Sequence, residues 1–278
     1  MQTEAYAKVN LTLDVTGIDE RGYHLLSSVF SEISLSDTVT LTPGGSGITM
    51  TATAPRLPTD DRNLCVKAAK KFLEAFSCSE RDFHIHLVKR IPSCAGLGGG
   101  SSDAGAVIKL LCRYFGIPTD DPKVQAVALS VGADVPFFLK GGCCLAEGVG
   151  EILTPLPPVS DSVLLIAKTR EAASTPEVYR RYDQLGLSQP LQTPLLREAL
   201  QRGESVAPYL SNHLTSATAQ LCPSVLRLKE QMKSCGALGS EMSGSGSAVF
   251  GIFPDRKSAE DAKKTIDAQF LRICRFIK

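Results

Sequence analysis

Between Pro92 and Ala104 the chain reads Pro-Ser-Cys-Ala-Gly-Leu-Gly-Gly-Gly-Ser-Ser-Asp-Ala. Four glycines within five residues let backbone N–H groups approach a ligand with no Cβ in the way. An amphipathic helical pattern follows at once (Ala104, Val107, Ile108, Leu111, Phe115). Its N-terminus adds unpaired donors and the positive end of a dipole, so the segment has the makings of an anion site. Ser101 and Ser102 can cap that helix or offer hydroxyls to a phosphate or a bound cation. Two more segments carry the same flavour. Gly132-Ala133-Asp134-Val135-Pro136 sets one carboxylate among small residues, and Ser243-Gly244-Ser245-Gly246-Ser247 is a second phosphate-sized loop. Taken singly, the first also reads as a surface turn and the second as linker chemistry.

Several phosphate and hydrolase motifs are excluded. The chain has no Gly-Lys dipeptide, so no Walker A loop, and Ser101 stands where a G-x-G-x-x-G fingerprint needs its third glycine. His-Arg-Asp, Asp-Phe-Gly, G-x-S-x-G and H-E-x-x-H are all absent, which removes protein kinases and two hydrolase classes.

These loops need elements to hold them. Ala5, Ala7, Val9, Leu11, Leu13 and Val15 alternate with Tyr6, Lys8, Asn10, Thr12 and Asp14, a period of two that predicts a half-buried strand. Lys8 and Asn10 then stand side by side on its polar face, roughly 7 Å apart at Cα. Further strands are predicted at 29–35, 38–42 and 48–53, the last two joined by the turn 43–47, and at Phe83, Ile85 and Leu87. Helices are predicted over about 62–76, after the glycine run, and around Val124–Val131, where Gly132 suits a C-cap. Three prolines in 155–158 mark the stretch 154–161 as a domain junction. Beyond it come a strand (162–168), several helices, a strand (247–253), a helix (257–270) and a strand (271–277). Strands and helices mix without regular βαβ alternation, so the fold class is α+β.

Composition sets the outer bounds. A chain of 278 residues is a prior for about two domains. A net charge of +1 gives no electrostatic basis for general nucleic-acid or membrane-surface binding. An apolar fraction of 43% with 21% charged residues is that of a globular protein. No apolar run reaches the ~18–20 residues of a membrane helix, and the N-terminus has no leader pattern. Nine cysteines without C-x-x-C spacing point to reduced thiols and a cytoplasmic protein.

Taken in order, Ala7-Lys8-Val9-Asn10-Leu11, the run from Pro92 to Ala104, Gly132 to Pro136 and Ser243 to Ala248 resemble the conserved blocks of the GHMP small-molecule kinases. Arg21-Gly22-Tyr23-His24 and Ala146-Glu147-Gly148-Val149-Gly150-Glu151 resemble one branch of that family. That branch phosphorylates the 2-hydroxyl of a cytidyl diphosphate-linked methylerythritol in the non-mevalonate isoprenoid precursor route. The resemblance implies a two-domain α+β fold: a ribosomal-protein-S5-like nucleotide domain at 1–154 and a ferredoxin-like domain at 162–278, with the active site in the cleft between them. It implies ATP as co-substrate, with Mg2+, and a small-molecule cytidyl diphosphate substrate.

The resemblance also assigns roles. Lys8 and Asp134 match the family's catalytic pair, and the loop Pro92, Ser93, Cys94, Ala95, Gly96, Leu97, Gly98, Gly99, Gly100, Ser101, Ser102 would wrap the triphosphate. Asn10 would meet the substrate near the transferred phosphate, while Tyr23 and His24 would hold the cytidine end. Thr175 and Tyr179 lie where the family has further substrate contacts, and Ser243, Gly244 and Gly246 form the second loop around the substrate. By position Asn63 and Lys89 neighbour the adenine nucleotide, although a helix cap and a solvated lysine read equally well. No protein ligand for Mg2+ is legible: the family's usual upstream glutamate has no counterpart in the acid-free stretch 122–133. His84 and His86 share a strand face at metal-bridging spacing but lack a partner, so they read as a solvated face; Cys143 and Cys144 read as core. Three rival readings remain: another alcohol as substrate, a catalytically dead relative, and a plain α+β binding module.

Overall fold

The computed structural model describes residues 1–159 and 163–277. The chain divides into two compact units that interleave along the sequence. The first comprises Met1–Ala7, Leu35–Ser93 and Gly98–Gly141, the second Lys8–Ser34, Cys94–Leu97 and Gly142–Lys278. Two long strands, β1 (Gln2–Ile18) and β2 (His24–Pro43), therefore contribute to both units.

In the first unit, β3 (Ile48–Ala52) runs parallel to β4 (Phe83–Val88), and β4 pairs antiparallel with Thr38–Pro43 of β2. The turn at 43–47 thus links two strands that each pair with β4. Helix α1 (Leu64–Ala75) starts at Asn63, whose side chain accepts from the Cys65 N–H, a cap worth about 1 kcal/mol. Helix α2 (Gly99–Phe115) is entered through Gly98 and left through Gly116, both left-handed with φ of 69° and 68°. Helices α3 (Pro122–Val131) and α4 (Val135–Lys140) complete the unit. Gly132 ends α3 as expected, but in extended backbone (φ 176°) rather than as a left-handed cap. The apolar stripes of α1 and α2 join the strands in one core that includes Leu41, Phe72, Ile85, Val107 and Leu111.

In the second unit, β5 (Cys143–Gly148) pairs with Leu26–Ser31 of β2 and with β6 (Ile152–Pro155). Beyond it come β7 (Val163–Lys168), α5 (Thr175–Leu185), α6 (Thr193–Arg202), β8 (Ser211–Asn212), α7 (Thr215–Leu221) and α8 (Ser224–Ser234). The chain then forms β9 (Gly239–Met242), β10 (Val249–Phe253), α9 (Arg256–Thr265) and β11 (Phe270–Arg275). An antiparallel sheet in the order β11-β7-β10-β9 packs its apolar face on helices through Leu165, Val178, Leu228, Met232 and Phe253. Strand β8 pairs parallel with β1 at Thr12 and Leu13.

Three expectations change. Residues 29–35 and 38–42 belong to one strand of 20 residues: Asp37, which interrupts the apolar pattern between them, is buried and accepts the Arg90 and Ile91 N–H groups, so the strand runs through it. The polar face of β1 is not solvated: Lys8, Asn10, Thr12 and Asp14 are all buried. The last helix ends at Thr265, since Ile266 turns extended (φ −74°, ψ 125°). The expected junction falls partly on Ser160 and Asp161, and the following strand partly on Ser162, which lie outside the described residues.

Candidate active site

Burial of the β1 polar face makes Lys8 unusual. A lysine 3% exposed must find compensation. Its Nζ donates to Asn10 Oδ1 at 2.5 Å and lies 4.2 Å from the centre of the Phe30 ring. Its backbone N–H donates to the Leu97 carbonyl at 3.0 Å, which ties β1 to the glycine loop.

The second unit gathers two of the predicted loops around this strand. Ser243 Oγ donates to the Gly96 carbonyl at 2.9 Å and accepts from the Asn10 N–H at 3.2 Å. A Cβ on Gly96 (φ +73°) would stand 1.9 Å from the Ser243 carbonyl oxygen, and one on Gly244 (φ +56°) 3.0 Å from the Gly96 oxygen. Glycine is therefore dictated here by backbone packing against backbone. Gly246 (φ +82°) is likewise closed off, by Met242 Sδ at 2.6 Å. Asn212 pins the loop from below: its Nδ2 donates to the Met242 and Gly244 carbonyls at 2.9 and 2.8 Å. Thr175, the first residue of α5, joins its hydroxyl to that of Ser245 at 2.8 Å.

The aromatic candidates divide. The His24 ring stacks on Tyr179, centroids 4.6 Å apart, and its Nε2 meets Asp183 Oδ1 at 2.7 Å. Tyr182 stands edge-on to the same ring. Tyr23 is 61% exposed, with the Arg21 guanidinium 5.5 Å from its ring centre.

The first unit builds the other half of the candidate set. The start of α2 presents Gly99, Gly100 and Ser101 in its first turn; Ser102 is buried, and its hydroxyl donates to the Tyr6 carbonyl at 2.6 Å. Pro92 is half-buried, Ser93 and Cys94 are exposed, and Ala95 and Leu97 are buried. Asn63 caps α1 and also donates to the Pro58 carbonyl at 2.7 Å. Leu64 beside it would touch a Cβ on Gly100 at 3.6 Å, so the starts of α1 and α2 adjoin. Asp134 is half-buried at the N-cap position of α4 and makes no capping bond with its side chain.

Lys89 is not solvated. Its side chain is 7% exposed and bridges Asp37 and Asp103, the latter at 2.7 Å. A Cβ on Gly99 would lie 3.0 Å from its Nζ, so the bridge stands against the glycine run. Asp37 also accepts the backbone N–H groups of Arg90 and Ile91. Burial disfavours the Lys89 ammonium, but the two carboxylates outweigh it and its pKa is raised. Burial, opposed by Lys89 and reinforced by Asp37, pushes the Asp103 carboxyl up to about 7. One ammonium cannot neutralise two buried carboxylates, and Asp103 Oδ1 has no hydrogen-bond partner among the described residues. The folded state therefore holds the Asp103 proton more tightly than the unfolded chain. Its stabilising contribution is complete below about pH 4 and is lost as pH rises through about 7. Asp103→Asn is expected to flatten this fall, so that between pH 5 and 8 its melting temperature drops several degrees less than that of the parent protein. Parallel pH–Tm curves for the two proteins would contradict it.

His84 and His86 bond to Thr49 and Thr51 across β3 and β4, and no group of three metal-binding side chains occurs among the described residues. Cys143 and Cys144 are buried, as expected for core. Sequence reasoning missed Ser28, Asp37 and Asn212, isolated polar residues within strands that belong to no motif, and gave no role to Asp103 at the end of the glycine-rich segment.

Two family models match this chain: that of the GHMP kinases' N-terminal domain over residues 63–142, and that of their C-terminal domain over residues 194–271. The chain belongs to the GHMP kinase family, and its fold is the mixed α+β fold of that family. Within it, the chain is similar over nearly its whole length to 4-diphosphocytidyl-2-C-methyl-D-erythritol kinases. The one from Clostridium botulinum is 38% identical, with 98% of each chain covered. The one from Desulfitobacterium hafniense is 41% identical over 92% of this chain and 88% of its own. A crystal structure of 4-(cytidine 5'-diphospho)-2C-methyl-D-erythritol kinase matches with a TM-score of 0.85 at 35% identity, covering both chains fully. Homoserine kinase from Cytophaga hutchinsonii, with a TM-score of 0.75 at 20% identity, shares the fold. No helix among the described residues is long and apolar enough to cross a membrane.

Proposed function

We propose that this chain transfers the γ-phosphoryl group of ATP to the 2-hydroxyl of 4-diphosphocytidyl-2-C-methyl-D-erythritol, in the cytoplasm, within the non-mevalonate isoprenoid precursor route. Its similarity to named kinases of that substrate over nearly all of its length carries the reading. The Arg21-Gly22-Tyr23-His24 segment favours this branch over kinases of other alcohols, and the presence of both Lys8 and Asp134 disfavours a catalytically dead relative.

Phosphoryl transfer asks for alignment and charge stabilisation more than for covalent chemistry. Asp134 takes the proton of the 2-hydroxyl while the freed oxygen attacks the γ-phosphorus and ADP leaves. Lys8, an ammonium held in a dry setting, offsets the charge that develops there. Asn10 contacts the substrate beside the transferred phosphate, together with Thr175 and the loop of Ser243, Gly244 and Gly246. Residues Pro92–Ser102 wrap the triphosphate, with N–H groups of the glycine run as donors, and Asn63 and Lys89 neighbour the adenine nucleotide. Tyr23, His24 and Tyr179 hold the cytidine; the stacked His24–Tyr179 pair offers a flat apolar face, and Asp183 orients the imidazole. When bound with the nucleotide, Mg2+ would offset phosphate charge; phosphate oxygens and water would hold it, with Ser101 or Ser102 as the hydroxyls that could join them. The functional halves are 1–154 and 162–278, and each family match falls within one of them.

ADP release measured with ATP–Mg2+ and, in parallel, the cytidyl substrate, mevalonate, homoserine and galactose tests this directly. Turnover confined to the cytidyl substrate is expected. Turnover of another alcohol would leave the kinase reading and remove the cytidine pocket. ATP binding without turnover of any of them would favour the dead relative.

A further inference from the structure

The buried polar face of β1 carries a hydrogen-bond chain whose direction is set at its far end. The Thr12 carbonyl oxygen can only accept, so Ser28 Oγ spends its single proton there. That leaves the same oxygen only lone pairs to offer Asn10, which must present its amide nitrogen, Nδ2, at 2.9 Å. The carboxamide is thereby turned with Oδ1 on the opposite side, where it accepts from Lys8 Nζ. Ser28, Asn10 and Lys8 are all buried, so bulk water does not take part in this choice. The Asn10 backbone is fixed independently by Ser243 Oγ. The remaining freedom at this position is rotation of the amide, and a flipped amide would aim an N–H donor at the ammonium. The Phe30 ring attracts the Lys8 charge but cannot tell the two ends of the amide apart.

We propose that Ser28 is a positioning residue for phosphoryl transfer: it fixes the orientation of the Asn10 carboxamide and, through it, the place of the Lys8 ammonium. The proposal rests on the reading of Lys8 given above. Ser28 acts through Asn10 and is not itself a catalytic residue.

The test compares Ser28→Ala, Ser28→Thr, Ser28→Val, Asn10→Ala and the Ser28→Ala/Asn10→Ala double variant, with ATP–Mg2+ and the cytidyl substrate. Loss of the hydroxyl frees the amide and with it the Lys8–Asn10 hydrogen bond, and is expected to lower kcat about tenfold, the worth of one hydrogen bond to a charged group, with KM for ATP within about twofold. Thr keeps the hydroxyl and restores kcat, while its isostere Val does not. This pair decides the matter even if Ala at position 28 impairs folding. In the Asn10→Ala background, Ser28→Ala should cost little further, because both changes remove the same relay. Equal kcat for the Thr and Val variants, or fully additive losses in the cycle, would overturn the proposal. The Asn10 side-chain NH2 resonances, assigned by their loss in Asn10→Ala, give a readout that needs no turnover. They should move in the Val variant and stay in the Thr variant; resonances unmoved in both would also overturn it. A parent protein inactive on the cytidyl substrate would instead count against the proposed function, with the resonances still judging the relay.

Discussion

Asp134→Asn is expected to lower kcat by ~10²–10⁴-fold, the usual contribution of a positioned general base. The amide keeps the shape of the carboxylate but cannot take the proton of the 2-hydroxyl. Asp134 sits at the N-cap position of α4 and makes no capping bond with its side chain, so the substitution leaves the capping of that helix as it is, and a melting curve separates loss of chemistry from loss of fold. Nucleotide binding should also be kept, since the donors assigned to the triphosphate lie in the glycine loop. Lys8→Met is expected to lower kcat by a comparable factor for a different reason: methionine fills the space beside Phe30 but supplies no charge. The measurement is kcat and KM by ADP release for both variants, with ATP binding and Tm as controls. A kcat within about threefold of the parent protein for each would remove the pair from the mechanism.

Gly96→Ala should have a larger structural effect than a methyl added at Gly99 or Gly100. Its φ of +73° lies in the left-handed region, where an L-residue costs about 1–2 kcal/mol. The added Cβ would stand 1.9 Å from the Ser243 carbonyl oxygen and 2.9 Å from its carbon. Both are backbone atoms, so no side-chain rotation relieves the clash, and forced overpacking adds about 1–3 kcal/mol. The expected loss is about 2–5 kcal/mol of stability, together with weaker ATP binding, because the loop must move away from Ser243. Gly45→Ala is the control: its φ is +107°, but nothing lies within 4 Å of the added methyl. Thermal melts and ATP titrations of both variants separate backbone strain from steric contact. Equal, small effects at the two positions would show that the two loops yield to each other freely.

Much of this chemistry was legible because it is local. The glycine run, its helix and the strand β1 are written in consecutive residues, and each appeared where expected, although the polar face of β1 is buried too. The aromatic site was legible only by resemblance. His24 and Tyr179 are far apart in sequence, and neither carries a local signal that the other will stack on it. Lys89 shows the reverse case. Its neighbours in sequence suggest a solvated lysine, but Asp37 and Asp103 arrive from a distant strand and a helix to enclose it. Ser28, Asp37 and Asn212 belong to no motif, yet they hydrogen-bond a carboxamide, backbone N–H groups and loop carbonyls.

By itself the sequence determined the element types, the fold class and the glycine loop that opens α2, because helical and strand periodicity, turn glycines and helix starts depend on residues a few positions apart. The tertiary structure alone decided which polar side chains are buried and what they then do. Burial turns Lys8 from a surface cation into one held between Asn10 and Phe30, and it gives Ser28 a direction to impose. The energy of a polar group is set by what surrounds it in space, and those surroundings come from segments that only folding brings together.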